Sequence, residues 1–179
     1  MKKIVIHCLE AITIIGGVLL VLMIFLPYAS SNEKHKTYLT KYKDEICIEE
    51  LNMTNEEVID LSLIEYVSIY KEAISQGMGV KELIIPLILV LIYIFCALGT
   101  MLVAFHRQTV NFIIFDMITM FVFMLIGIEN KHREAFPSYK YDWGITNILV
   151  YIIGVIIHVA AIVVHIMKKN QDKVDSRKD

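Results

Sequence analysis

The sequence predicts an all-α integral membrane protein: a four-helix transmembrane bundle with a small helical extracellular insertion between spans one and two. Three observations carry that prediction. The 179-residue chain is 56% hydrophobic yet 20% charged, with a mean hydropathy of +0.60, too oily for an ordinary soluble domain. Oil and charge are segregated, because the runs 4–27, 83–105, 110–128 and 146–167 contain only two Asp, Glu, Lys or Arg residues, Glu10 and Asp116. Each run also meets the length needed to cross about 30 Å of hydrocarbon at about 1.5 Å per residue. A near-neutral net charge of -2 and the lack of a basic face exclude a nucleic-acid binder.

The first element, 1–27, is the N-terminus and span one. Its start, Met1-Lys2-Lys3, and the later Ala29-Ser30-Ser31 also fit a secretory leader. The apolar core runs well past the roughly 7 to 15 residues of a leader and carries Glu10, which favours a span. Segment 28–82 is the insertion, 83–105 span two, 106–109 an inner turn and 110–128 span three. An outer loop 129–145, span four at 146–167 and a tail 168–179 complete the chain. Lys and Arg number 8 in the 19 residues of 1–3, 106–109 and 168–179, against 9 in the 72 residues of the other two connections. That asymmetry predicts both termini in the cytoplasm, with the plasma membrane as the host bilayer. Tyr28, Tyr139, Tyr141 and Trp143 fall where an outer aromatic belt would lie.

Within the insertion, Thr54-Asn55-Glu56-Glu57 fits a capping box, and Ile59, Leu63, Tyr66, Val67, Tyr70 and Ile74 follow at helical spacing. Gln76-Gly77-Met78-Gly79 would stop that helix. Two readings of the stripe stand: Ile59, Leu63, Tyr66 and Tyr70 bind a protein partner, or they pack on the protein's own spans. The insertion holds 11 acidic residues against 6 Lys, so it does not favour anionic lipid. In loop 129–145, His132, Arg133, Tyr139, Lys140, Tyr141 and Trp143 suit interfacial anchoring.

Inside the spans, small and polar residues recur at helical spacing. Span one aligns Glu10, Thr13 and Gly17; span two Tyr93, Ala97, Thr100 and Ala104, with Cys96 alongside. Span three aligns Phe112, Asp116, Thr119, Phe123 and Gly127; span four Asn147, Tyr151, Gly154, His158, Ala161 and His165. In lipid such stripes mark the faces that meet other helices. Intramembrane carboxylates need partners, and His7, His158, His165, Thr13 and Thr100 are available.

The cluster Glu10, Asp116, His158, His165 and His7 has two main readings: a hydrogen-bonded structural network, or a proton or cation site, since imidazole titrates near neutral pH. A metal or haem reading lacks a local ligand motif, and no cofactor is expected. No GxSxG, phosphate loop or CxxC pair points to an enzyme. The expected function is that of an accessory, regulatory or interaction subunit. Its partners would be the lipid bilayer and a membrane or extracellular protein, and oligomers are compatible with the small-residue stripes. The alternative is a small proton-coupled transporter or channel using Glu10, Asp116 and His158.

Overall fold

A computed structural model describes residues 2–77, 80–132 and 140–175. Six α-helices and five short strands follow in order: α1 Lys2–Leu22, β1 Pro27–Ser31, α2 Glu33–Lys41, β2 Ile46–Ile48, β3 Met53–Thr54, β4 Asp60–Ser62, α3 Leu63–Ser75, α4 Val80–Phe105, α5 Thr109–His132, β5 Tyr141–Trp143 and α6 Thr146–Asp175. Four helical stretches, Lys2–Phe25, Leu83–Phe105, Thr109–Lys131 and Thr146–Gln171, are long and apolar enough to cross a membrane. Their outward residues agree with that, for Ile4, Phe95 and Ile148 are each more than 60% exposed. An apolar surface on that scale is a liability in water and the normal state in lipid.

The chain divides into two compact units, to both of which α4, α5 and α6 contribute. The first comprises Met1–Leu22, Ile94–Phe121 and Val150–Asp179 and is a helical bundle. A side chain on Gly17 would meet the Met101 backbone, and one on Gly16 would overlap Ile157. Gly99 likewise faces Phe115, and Gly154 faces the Met120 thioether. Each helix therefore meets its neighbour in sequence and α6 closes on α1, with small residues permitting close approach.

The inner faces expected for spans one to three are buried at Glu10, Thr13 and Gly17; Tyr93, Cys96, Ala97, Thr100 and Ala104; Phe112, Asp116, Thr119 and Phe123, but Gly127 is only half-buried, with open space where a side chain would stand. Thr100 and Thr119 share a 3.0 Å hydroxyl contact between α4 and α5. Span four departs from expectation. Its buried face is Val150, Gly154, Ile157, Ala161 and Val164, whereas Tyr151 is exposed and His158 and His165 lie at the margin. The true face shares Gly154 and Ala161 with the polar stripe but is turned by about one residue, because branched apolar side chains fill the interior.

The second unit, Met23–Tyr93 with Val122–Leu149, is not purely helical. The central strand β1 pairs antiparallel with β4 on one side and β5 on the other, so segments more than 80 residues apart join in one sheet. Tyr28 on β1 is fully buried, with edge contacts to Tyr66, Phe123 and Trp143 at 5.8 to 5.9 Å. Its hydroxyl accepts from Asn130 Nδ2 at 3.2 Å, and Asn130 Oδ1 accepts from the Tyr70 hydroxyl at 3.1 Å. Its carbonyl accepts from Gly144 N at 2.8 Å and Asn147 Nδ2 at 2.6 Å. Tyr28 is thus a core residue and not part of an aromatic belt, while Trp143 is half exposed. Gly144 is required at this junction, since a Cβ there would overlap the Pro27 carbonyl.

The helix in this unit starts later than expected. Glu57 Oε2 does accept from Thr54 N at 2.7 Å, but the chain then turns and enters β4. The cap that opens α3 is Ser62 with Glu65, whose carboxylate accepts from Ser62 N at 2.6 Å. Ile59 is consequently not on the helix; its carbonyl accepts from Ser31 N at 2.7 Å. α3 ends at Ser75, and Gly77 adopts a left-handed φ of 75°. Met78, Gly79, Arg133 and Tyr139, the side chain of His132, and tail residues 176–179 lie outside the described residues.

Candidate functional site

The polar residues expected to form one intramembrane cluster belong to two. Glu10, 7% exposed, faces three bases: Lys168 Nζ at 2.8 Å, His7 Nδ1 at 3.3 Å and Arg107 Nη1 at 3.4 Å. Thr13 does not serve the carboxylate, because its hydroxyl donates to the Glu10 carbonyl at 2.8 Å. Lys168 and Arg107 belong to the ends of the spans, and their long stems let the charged heads reach a carboxylate on the next helix. The space beside this group, about 10 Å³, is the size of one water molecule.

Arg107 is held there by an unusual backbone. It sits in the α4–α5 turn with φ of 54°, donating its N–H to the Ala104 carbonyl at 2.9 Å, while Gln108 N–H reaches Val103 at 3.2 Å. That is a Schellman ending with arginine at the position glycine normally takes. A left-handed non-glycine residue costs about 1 to 3 kcal/mol, so its presence points to a demand for the side chain. Arg107→Gly is therefore expected to be more stable than Arg107→Ala by about 1 kcal/mol, although both remove the Glu10 contact. Unfolding in mixed micelles checks this, and equal stabilities would contradict it.

The second cluster is a dyad between α5 and α6. Asp116, with no solvent exposure, places Oδ2 2.8 Å from His158 Nδ1. Its other oxygen, Oδ1, is buried with no hydrogen-bond partner among the described residues. The imidazole is 23% exposed and borders a groove of about 320 Å³ with Met117, Met120, Val155 and Val159. His165 joins neither cluster and makes no hydrogen bond or ion pair among the described residues. Thr100 pairs with Thr119 and not with a carboxylate. Among the described residues, no three His, Cys, Asp or Glu side chains gather closely enough to hold a metal ion.

In the sheet unit, the stripe considered for partner binding is turned inward: Leu63, Tyr66 and Tyr70 are all at most 5% exposed. Burial pushes the phenols of Tyr66 and Tyr70 upward from their ordinary pKa. The His35 imidazole is lowered by partial burial and the nearby Lys140 charge. Among what the unit leaves exposed are the β2–β3 hairpin and its flanks: Asp44, Glu45, Glu49, Glu50, Glu56 and Glu57 are exposed, as is the preceding Lys43, and Ile46 is 53% exposed. Asn52 turns the hairpin at φ of 51°, a conformation asparagine tolerates well. Asn55, nearly buried, pins its base by donating Nδ2 to the Tyr42 carbonyl at 2.8 Å.

Comparison with protein-family models, curated proteins and solved structures finds no match to this chain.

Proposed function

We propose that the chain is a multi-pass plasma-membrane protein with both termini in the cytoplasm, acting as a non-enzymatic accessory or interaction subunit. Its extracellular unit meets a protein partner through the acidic β2–β3 hairpin. The observation that supports this reading is the division of surface within the sheet unit. Leu63, Tyr66 and Tyr70 of α3 are consumed by the unit's own core, while the hairpin and its flanks, 44–57, carry six exposed acids and the exposed Ile46. A small apolar contact inside a charged rim suits a reversible protein interface, with a basic partner face and salt-dependent association. Proton coupling through Glu10, Asp116 and His158 gains less support, because Glu10 is occupied by Lys168, Arg107 and His7 while Asp116 pairs with His158.

The test is a photocrosslinking residue in place of Ile46 in the full-length protein on intact cells. A discrete protein adduct is expected, lost at high salt and in Glu49→Lys/Glu50→Lys. An adduct indifferent to those charges, or none beyond that formed from lipid-facing Ile148, overturns the proposal.

A further inference from the structure

The groove beside the Asp116–His158 dyad has the features of a ligand site. Met117, Val155 and Val159 in its walls are each more than half exposed, on the apolar surface the spans offer to lipid. His158 is the one polar residue among its five walls. Nδ1 is taken by Asp116 Oδ2, and Nε2 hydrogen-bonds to no described residue. In the tautomer whose Nδ1–H donates to the Asp116 carboxylate, the lone pair of the ring lies at Nε2. A hydrogen-bond acceptor bordering an apolar groove in hydrocarbon calls for a donor, which water is not there to supply.

We propose that this groove binds a membrane-soluble phenol or hydroquinone, whose hydroxyl donates to His158 Nε2 and whose ring lies against Met117 and Met120. A volume of about 320 Å³ is at the lower end of small-molecule sites, which are about 300 to 1,000 Å³ and apolar around a few polar groups. Thioethers make favourable contacts with aromatic rings and adapt to their shape. Depth narrows the class further. His158 is ten residues from Lys168, about 15 Å along the helix, so a phospholipid headgroup stays too shallow. Esters and ketones only accept hydrogen bonds, whereas a phenolic hydroxyl donates. The site goes beyond the hairpin interaction and stands independently of it.

The experiment uses full-length protein in lipid nanodiscs with ¹³C-methyl methionine, titrated with decylhydroquinone and separately with its dimethyl ether, which cannot donate. Saturable shifts of the Met117 and Met120 methyl signals are expected with the hydroquinone, at least tenfold weaker binding of the ether, and no saturable shift in Asp116→Leu/His158→Leu. Four results overturn the proposal: equal binding of the ether, shifts that grow without saturation as simple partitioning gives, saturation retained in the double variant, or a groove filled by a second copy of the chain. Should the double variant fail to fold, the comparison of the two ligands on the unaltered protein decides the matter alone.

Discussion

His158→Ala is expected to destabilise the bundle by about 3 kcal/mol. The substitution leaves Asp116 buried with both oxygens unpaired, since Oδ1 already lacks a partner and Oδ2 would lose the 2.8 Å contact to Nδ1. Removing one member of a buried pair costs about 3 to 5 kcal/mol, and a carboxylate deep in lipid costs about 2.5 to 3.5 kcal/mol on insertion scales. Replacing both members tells a different story: Asp116→Leu/His158→Leu removes the charge together with its need, and its stability should lie within about 1 kcal/mol of the parent. Unfolding of the parent, Asp116→Leu, His158→Leu and the double variant in mixed micelles completes the cycle. Additive losses would mean that the two side chains are not coupled, and the dyad would then be incidental.

Tyr28→Ala is expected to cost about 3 to 5 kcal/mol in the sheet unit, as for other fully buried aromatic residues. Its ring meets three others, and the strand that carries it is the middle strand of the sheet. Tyr28→Phe separates ring from hydroxyl: leaving Asn130 Nδ2 without its acceptor should cost about 1 to 3 kcal/mol. The protein contains a single tryptophan, Trp143, which touches the Tyr28 ring, so its fluorescence reports this unit directly. A Tyr28→Ala protein that kept the parental emission and unfolding midpoint would refute the view of Tyr28 as the hub.

These two sites differ in how far the sequence foretold them. Spans were legible because segregation of charge from long apolar runs depends on composition alone. The inward faces of α1, α4 and α5 were legible because glycine, threonine and alanine recur there at helical spacing, and in lipid such residues mark contact. Span four is ambiguous in sequence because Gly154 and Ala161 lie on two overlapping stripes, a polar one and the one filled by Val150, Ile157 and Val164, and it is the second that is buried. Asp116 with His158 was foreseen as part of a cluster. His7 beside Glu10 was legible in the same way, whereas Arg107 and Lys168 were not, because at the span ends they read as topology signals and side-chain length carries no mark in sequence.

The sheet was illegible for another reason. β1, β4 and β5 are three to five residues each and come from segments far apart in the chain, so no local alternation reveals them. Both Thr54…Glu57 and Ser62…Glu65 fit the capping pattern, and only tertiary pairing of Asp60–Ser62 with β1 decides that the helix opens at the second. That same pairing draws Leu63, Tyr66 and Tyr70 inward, shifting the proposed contact surface from the helix to the hairpin.

The proposed placement of this hairpin at the cell exterior is tested most directly through Cys47, a free and exposed thiol on β2. A membrane-impermeant maleimide applied to intact cells should label the full-length protein, and Cys47→Ser should abolish that signal. A cysteine introduced as Lys173→Cys in the Cys47→Ser background should react only after permeabilisation. If Cys47 is protected in intact cells and residue 173 is labelled, the topology is inverted and the account of an extracellular interaction unit fails.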